Sequence, residues 1–174
     1  MLNHRFVVPL ILVVFGTALL ITTAMAGESK ITKNELPGAV LKAFEKAYPK
    51  ATIEGLAKEE EDGKIYYEIE SLDGRTKRDV LYLAEGTIVE IEEVIAANEL
   101  PVAVMTTVAR EFPEGTILKA EKITHNAVVE YGLNIVSGKE THEIVVDTHG
   151  KIVTQDETNE DEEKEGEDGD QDLQ

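Results

Sequence analysis

The sequence predicts an α+β chain: a tandem repeat of one unit, a helix followed by a four-stranded antiparallel sheet, with the helix packed on one sheet face. Three observations predict it. The chain matches itself without a gap at an offset of 64 residues, with sixteen identities in the sixty pairs from 31–90 against 95–154. Each copy carries a short apolar stripe at helical spacing between two prolines. Each then alternates apolar and polar residues between turn-forming glycines, the period of a strand with one face covered.

Taken in order, the first element is a leader. Arg5 precedes an apolar run from Phe6 to Ile21, which ends at Ala24-Met25-Ala26. Positive charge, apolar stretch and Ala-x-Ala are the three parts of a secretory signal peptide, with cleavage expected after Ala26. The alternative is an uncleaved anchor, for which the run is short and interrupted by Pro9 and Gly16. Residues 27–95 then form the first copy and 96–154 the second.

In the first copy Pro37 suits a helix entrance, where a fixed φ and a missing N–H cost little. Leu36, Val40, Phe44, Ala47 and Tyr48 recur at spacings of three and four, and Pro49 ends the run. A helix of this length is marginal alone and needs a sheet to lie on. Strands are expected at Ala51–Lys58, Ile65–Glu70, Arg75–Leu83 and Thr87–Val94. Turns are expected at Glu59–Gly63, Asp73-Gly74 and Glu85-Gly86. The second copy repeats this from Pro101, with Leu100, Val104, Val108 and Phe112 as its stripe and Pro113 as its stop. Its turns fall at His125-Asn126, Ser137-Gly138 and His149-Gly150.

One set of residues forms a motif: Leu36-Pro37, Ala39-Val40, Ala43-Phe44 and Tyr48-Pro49, then Asp62-Gly63-Lys64 before Tyr67-Glu68-Ile69, then the strand before Gly86. In these residues the unit resembles the PepSY-like, or beta-lactamase-inhibitor-like, family of small extracytoplasmic domains. The resemblance spans residues 31–154. The second copy departs from the pattern, with Thr107-Val108 for Ala-Phe and Gly132 after Tyr131. The resemblance implies a fold and an exported, non-catalytic binding or inhibitory role, in which an open sheet face clamps a protein or peptide. It implies no reaction.

Composition narrows the function classes. The net charge is −18, or −19 once Arg5 leaves with the signal peptide, which opposes nucleic acid and anionic membrane surfaces. Eleven acids against Lys164 lie in residues 155–174, a segment with too little apolar surface to order itself and expected to be disordered. Cysteine is absent, which removes thiol catalysis, disulfides and cysteine-held metals. The serines after Ala26 are Ser29, Ser71 and Ser137, without a G-x-S-x-G motif, so a hydrolase is not expected. His125, His142 and His149 lack metal-ligand spacing, and no metal site or cofactor is predicted.

The site candidate is the sheet face away from the helix. In the first copy alternation assigns it Tyr66, Glu68, Glu70, Lys77, Asp79 and Leu81, with Leu83, Val89 and Ile91 beyond them. These residues either meet an unknown extracytoplasmic partner or pack on the second copy as one continuous sheet or sandwich. A second function remains open: an acidic envelope protein that weakly associates with divalent cations such as calcium through its tail and acidic turns.

Overall fold

A computed structural model describes residues 28–61 and 63–159 of the chain, the last four by backbone alone. The expected signal peptide, 1–26, and the acidic segment from 160 onward lie outside the described residues.

Pro37 caps α1 (Gly38–Ala47) and Pro101 caps α2 (Val102–Glu111), each with the extended ψ of a residue just outside a helix. The helices close at Tyr48 and Phe112, whose N–H groups donate to the Phe44 and Val108 carbonyls at 2.8 Å. The prolines that follow cannot continue the ladder.

The strands are β1 (Ser29–Lys30), β2 (Thr52–Glu61), β3 (Lys64–Asp73), β4 (Thr76–Leu83), β5 (Ile88–Val94), β6 (Thr116–His125), β7 (Val128–Ser137), β8 (Glu140–Asp147) and β9 (Ile152–Asn159). They form one nine-stranded sheet in chain order, every neighbour antiparallel. This corrects the expected fold class. The chain is not a tandem of units with a four-stranded sheet each; it is mostly β, with two ten-residue helices on a single sheet. The join is β5 on β6, with Glu90 opposite His125 and Val94 opposite Glu121. The physical reason lies in the edges. A four-stranded sheet would leave the β5 and β6 main-chain donors and acceptors unpaired, and each edge satisfies the other.

Several boundaries also differ from the sequence reading, two of them in acidic stretches. β2 runs on through Glu59–Glu61, which the sequence reading placed in the turn, and β3 starts at Lys64, directly after Gly63 with its φ of +73°. β9 reaches Asn159, past the expected start of the acidic segment at 155, because β8 supplies a pairing edge as far as Glu140.

Both helices cover the same sheet face. Leu36, Val40 and Phe44 pack on Ile69, Val80 and Tyr82. Leu100, Val104, Val108 and Phe112 pack on Ala120, Leu133, Ile135, Ile144 and Val146. Directly opposed residues share a face, and the pairs Ile69–Val80, Val80–Ile91 and Ile91–Thr124 carry that face across the join. The elements recur at the sequence offset: α1 begins at 38 and α2 at 102, β2 at 52 and β6 at 116, β4 at 76 and β8 at 140. Their turns recur too. Gly86 (φ +88) and Gly150 (φ +85) pass so close to α1 and α2 that an added Cβ would lie 2.7 Å from the Ala39 carbonyl oxygen and 2.6 Å from that of Ala103.

Candidate functional site

No helix among the described residues covers the opposite face, and the strand pairings define what stands on it. One row across the strands is Ala57, Glu68, Leu81, Glu90 and His125. The next is Gly55, Glu70, Asp79, Glu92, Ile123 and Glu130. The six residues assigned to this face from the sequence are all there: Glu68 opposes Leu81, Glu70 opposes Asp79, Tyr66 opposes Leu83 and Lys77 opposes Leu72. Two further assignments are corrected. Ile91 packs into the core beneath α1. Val89 is the extra residue of a β-bulge, since Leu81 pairs with Glu90 and Tyr82 with Ile88.

This face is dominated by carboxyls, several of them deeply buried: Glu59 is 4% exposed, Glu68 2% and Glu90 6%. Burial disfavours a charged carboxylate, and neighbouring carboxylates add to the effect. Burial, then Glu59 and Asp79, pushes Glu68 up to about 8. Burial, then Glu121, Glu90 and Asp79, pushes Glu92 up to about 9. Asp79 rises to about 6 through burial, then Glu70 and Glu121, with Lys119 and Lys77 opposing. Glu59 is raised by burial and by Glu28 and Glu61. Glu90 is raised by burial, and His125, whose Nδ1 lies 3.3 Å from its Oε2, holds it back. Glu70 folds its carboxyl over Gly55, where a Cβ would sit 2.6 Å from it, so the glycine leaves the space that the acid fills.

Three of these acids converge. Asp79 on β4, Glu92 on β5 and Glu121 on β6 each offer a carboxylate oxygen, and the three lie within 4.8 Å of one another. Lys119 Nζ approaches Glu121 at 2.7 Å. No metal site was predicted from the sequence, and no spacing motif could reveal this one, because Glu121 joins the other two only through the β5–β6 pairing. The histidines are elsewhere: His125 pairs with Glu90, His142 lies against the Phe112 ring at 4.8 Å, and His149 sits in the turn after β8. The face can therefore accept cationic groups or a cation, and its raised carboxyls can donate as well as accept hydrogen bonds.

No family model matches the chain, and no curated protein matches it. Solved structures do. A protein from Bacteroides eggerthii designated periplasmic superposes with a TM-score of 0.60 at 20% identity, over 70% of this chain and 88% of that one. A DUF2874 family protein from Bacteroides uniformis gives 0.59 at 20% identity, over 70% and 88%. A BLIP-like protein from Bacteroides fragilis gives 0.55 at 18% identity, over 76% and 90%. At a coarse level the fold is BLIP-like. At these identities the similarity concerns the fold alone.

Proposed function

We propose that this chain is an exported, non-catalytic binding module that holds a protein or peptide partner, one presenting lysine or arginine, against the helix-free face of its sheet. One observation carries the reading. The face sets Glu68, Glu70, Asp79, Glu90, Glu92 and Glu121 together across four adjacent strands, with Lys77, Lys119 and His125 beside them and Lys30 and Lys64 toward the β1–β3 end of the same face. Crowded, partly desolvated carboxylates favour a partner that brings the missing positive charge. Export is supported by the Ala-x-Ala leader and by the periplasmic designation of a protein with this fold. No helix among the described residues is long and apolar enough to cross a membrane. The recurrence of elements at 64 residues supports descent from a duplicated PepSY-like unit whose two copies later shared a sheet.

The test compares the mature protein with a Glu70→Lys, Glu130→Lys variant as bait in periplasmic and culture extracts. Glu70 and Glu130 stand on the same row of the open face. A partner held saturably by the mature protein, released by salt and lost on charge reversal fits the reading. Equal recovery by both baits, or none by the mature protein, refutes it.

A further inference from the structure

We propose that the two outer edges of the sheet are the two halves of the β5–β6 joint: β9 of one molecule pairs with β2 of the next in the register that β5 takes on β6, and displaces β1. The registers carry the inference. Ser29 stands opposite Lys58 and Lys30 opposite Ala57. At the offset of 64, Glu93 stands opposite Lys122 and Val94 opposite Glu121. The next main-chain bond recurs as well: the Ile31 N–H donates to the Leu56 carbonyl at 3.0 Å, and the Ile95 N–H to that of Ala120 at 2.9 Å. β1 thus holds the place on β2 that the end of β5 holds on β6, but only its last two positions. Past it, Glu59, Glu60 and Glu61 have no strand opposite them among the described residues. The corresponding Ile123, Thr124 and His125 of β6 pair with Glu92, Ile91 and Glu90.

β9 has the form of the strand that this edge lacks. Leu81 pairs with Glu90 and Tyr82 with Ile88 across a bulge, as Val145 pairs with Thr154 and Val146 with Ile152. β2 and β6 also share a bulge, between Ile53 and Gly55 and between Ile117 and Lys119. Bulges set local bend and twist, so both sides of the new joint are shaped as in the internal one. β9 has no strand on its outer side among the described residues. An edge of unpaired main-chain groups is a template for another strand, and two different edges that fit each other join molecules head to tail. The shared register sets Thr154 opposite Glu61, Gln155 opposite Glu60, Asp156 opposite Glu59 and Glu157 opposite Lys58. One of these pairs is like-charged and one opposite, so the net charge of −18 on each molecule is the main opposing force, and salt screens it. β1, two exposed residues near the chain terminus, is a weak competitor for the edge. The joint leaves the helix-free face uncovered, so it stands or falls apart from the binding-module reading.

The chain has no cysteine, which makes disulfide trapping direct. Thr154→Cys molecules mixed with Glu61→Cys molecules and oxidised in high salt should give mixed dimers. Their yield should exceed several-fold that from Thr154→Cys with Glu60→Cys, whose side chain points to the other face. Sedimentation of the full mature chain supplies a second readout that needs no cysteine. Ser29 lies two residues before Ile31, so its N–H also faces β2, and Ser29→Pro should loosen β1 and strengthen association. Gln155 corresponds to Ile91, four residues before Ile95, so its N–H faces outward. Adding Gln155→Pro to Ser29→Pro should return the chain to monomer while β9 keeps its bonds to β8. The joint is refuted if the in-register mixture traps no more than the out-of-register one. Equal trapping within either single variant refutes it too, since like edges would then be paired. So does a Ser29→Pro chain that stays monomeric in high salt, or that associates no more than the mature chain, or whose association survives Gln155→Pro.

Discussion

Gly86 and Gly138 both have positive φ, but they differ in what surrounds them. A Cβ on Gly138 meets nothing within 4 Å, so Gly138→Ala bears only the left-handed backbone cost of about 1–2 kcal/mol. A Cβ on Gly86 adds a collision with the α1 backbone at 2.7 Å, so Gly86→Ala should cost clearly more, about 3 kcal/mol or above. Urea denaturation of the two variants checks the ranking, and equal losses would contradict it. Alternation placed Tyr66, Glu68 and Glu70 on the open face correctly, because side-chain direction along one unbroken strand depends only on parity. It misplaced Ile91, because the bulge between Ile88 and Glu90 shifts β5 by one residue. Nothing in the side chains there announces the bulge.

At the scale of elements, the C-terminal end of each helix meets the sheet through an aromatic side chain. Arg78 on β4 stacks 4.2 Å from the Tyr48 ring centroid and binds Glu93 on β5 through Nε at 2.8 Å and a second nitrogen at 2.7 Å. At the corresponding places α2 has Phe112 against His142. Arg78→Ala removes the stack and leaves Glu93 partly buried without its partner, so a loss of about 2–4 kcal/mol is expected by denaturation. Glu93→Gln keeps the shape and should lose less than half of that. Phe44→Ala should cost about 3–5 kcal/mol through the cavity it opens beneath α1. Both helices were legible from spacing and prolines, since a ten-residue helix is defined by contacts three and four residues apart.

For the whole molecule, the crowded acids set an unusual pH dependence. Glu68, Asp79 and Glu92 ionise near 8, 6 and 9 when folded, against ordinary values of 4.5 or 3.8. Between those ordinary values and about 9 the folded chain holds more protons than the unfolded one, so stability falls as pH rises. That stability is fully present below the ordinary values and is lost progressively as pH passes about 6, 8 and 9. Glu35 and Asp147 are lowered by backbone donors and act in the opposite sense, at lower pH. Melting should therefore be several degrees higher at pH 5 than at pH 9, and Glu92→Gln should flatten the slope at its alkaline end. Hydrogen exchange supplies a separate check on the join. Bonded amides of β5 and β6 should be protected as well as those of β3 and β4, which two independent sheets would not produce.

The sequence by itself determined the period of 64, the helices, most of the turns and the face on which six of the site residues stand. Each of these rests on interactions between near neighbours in the chain, which leave a pattern in residue type. Tertiary structure alone decided that β5 meets β6, and thereby that the chain has one sheet. Edge pairing is made by main-chain groups that every residue other than proline carries, so it leaves little trace in composition. The same pairing carries Glu121 to Asp79 and Glu92, and turns three scattered acids into one cluster on the open face.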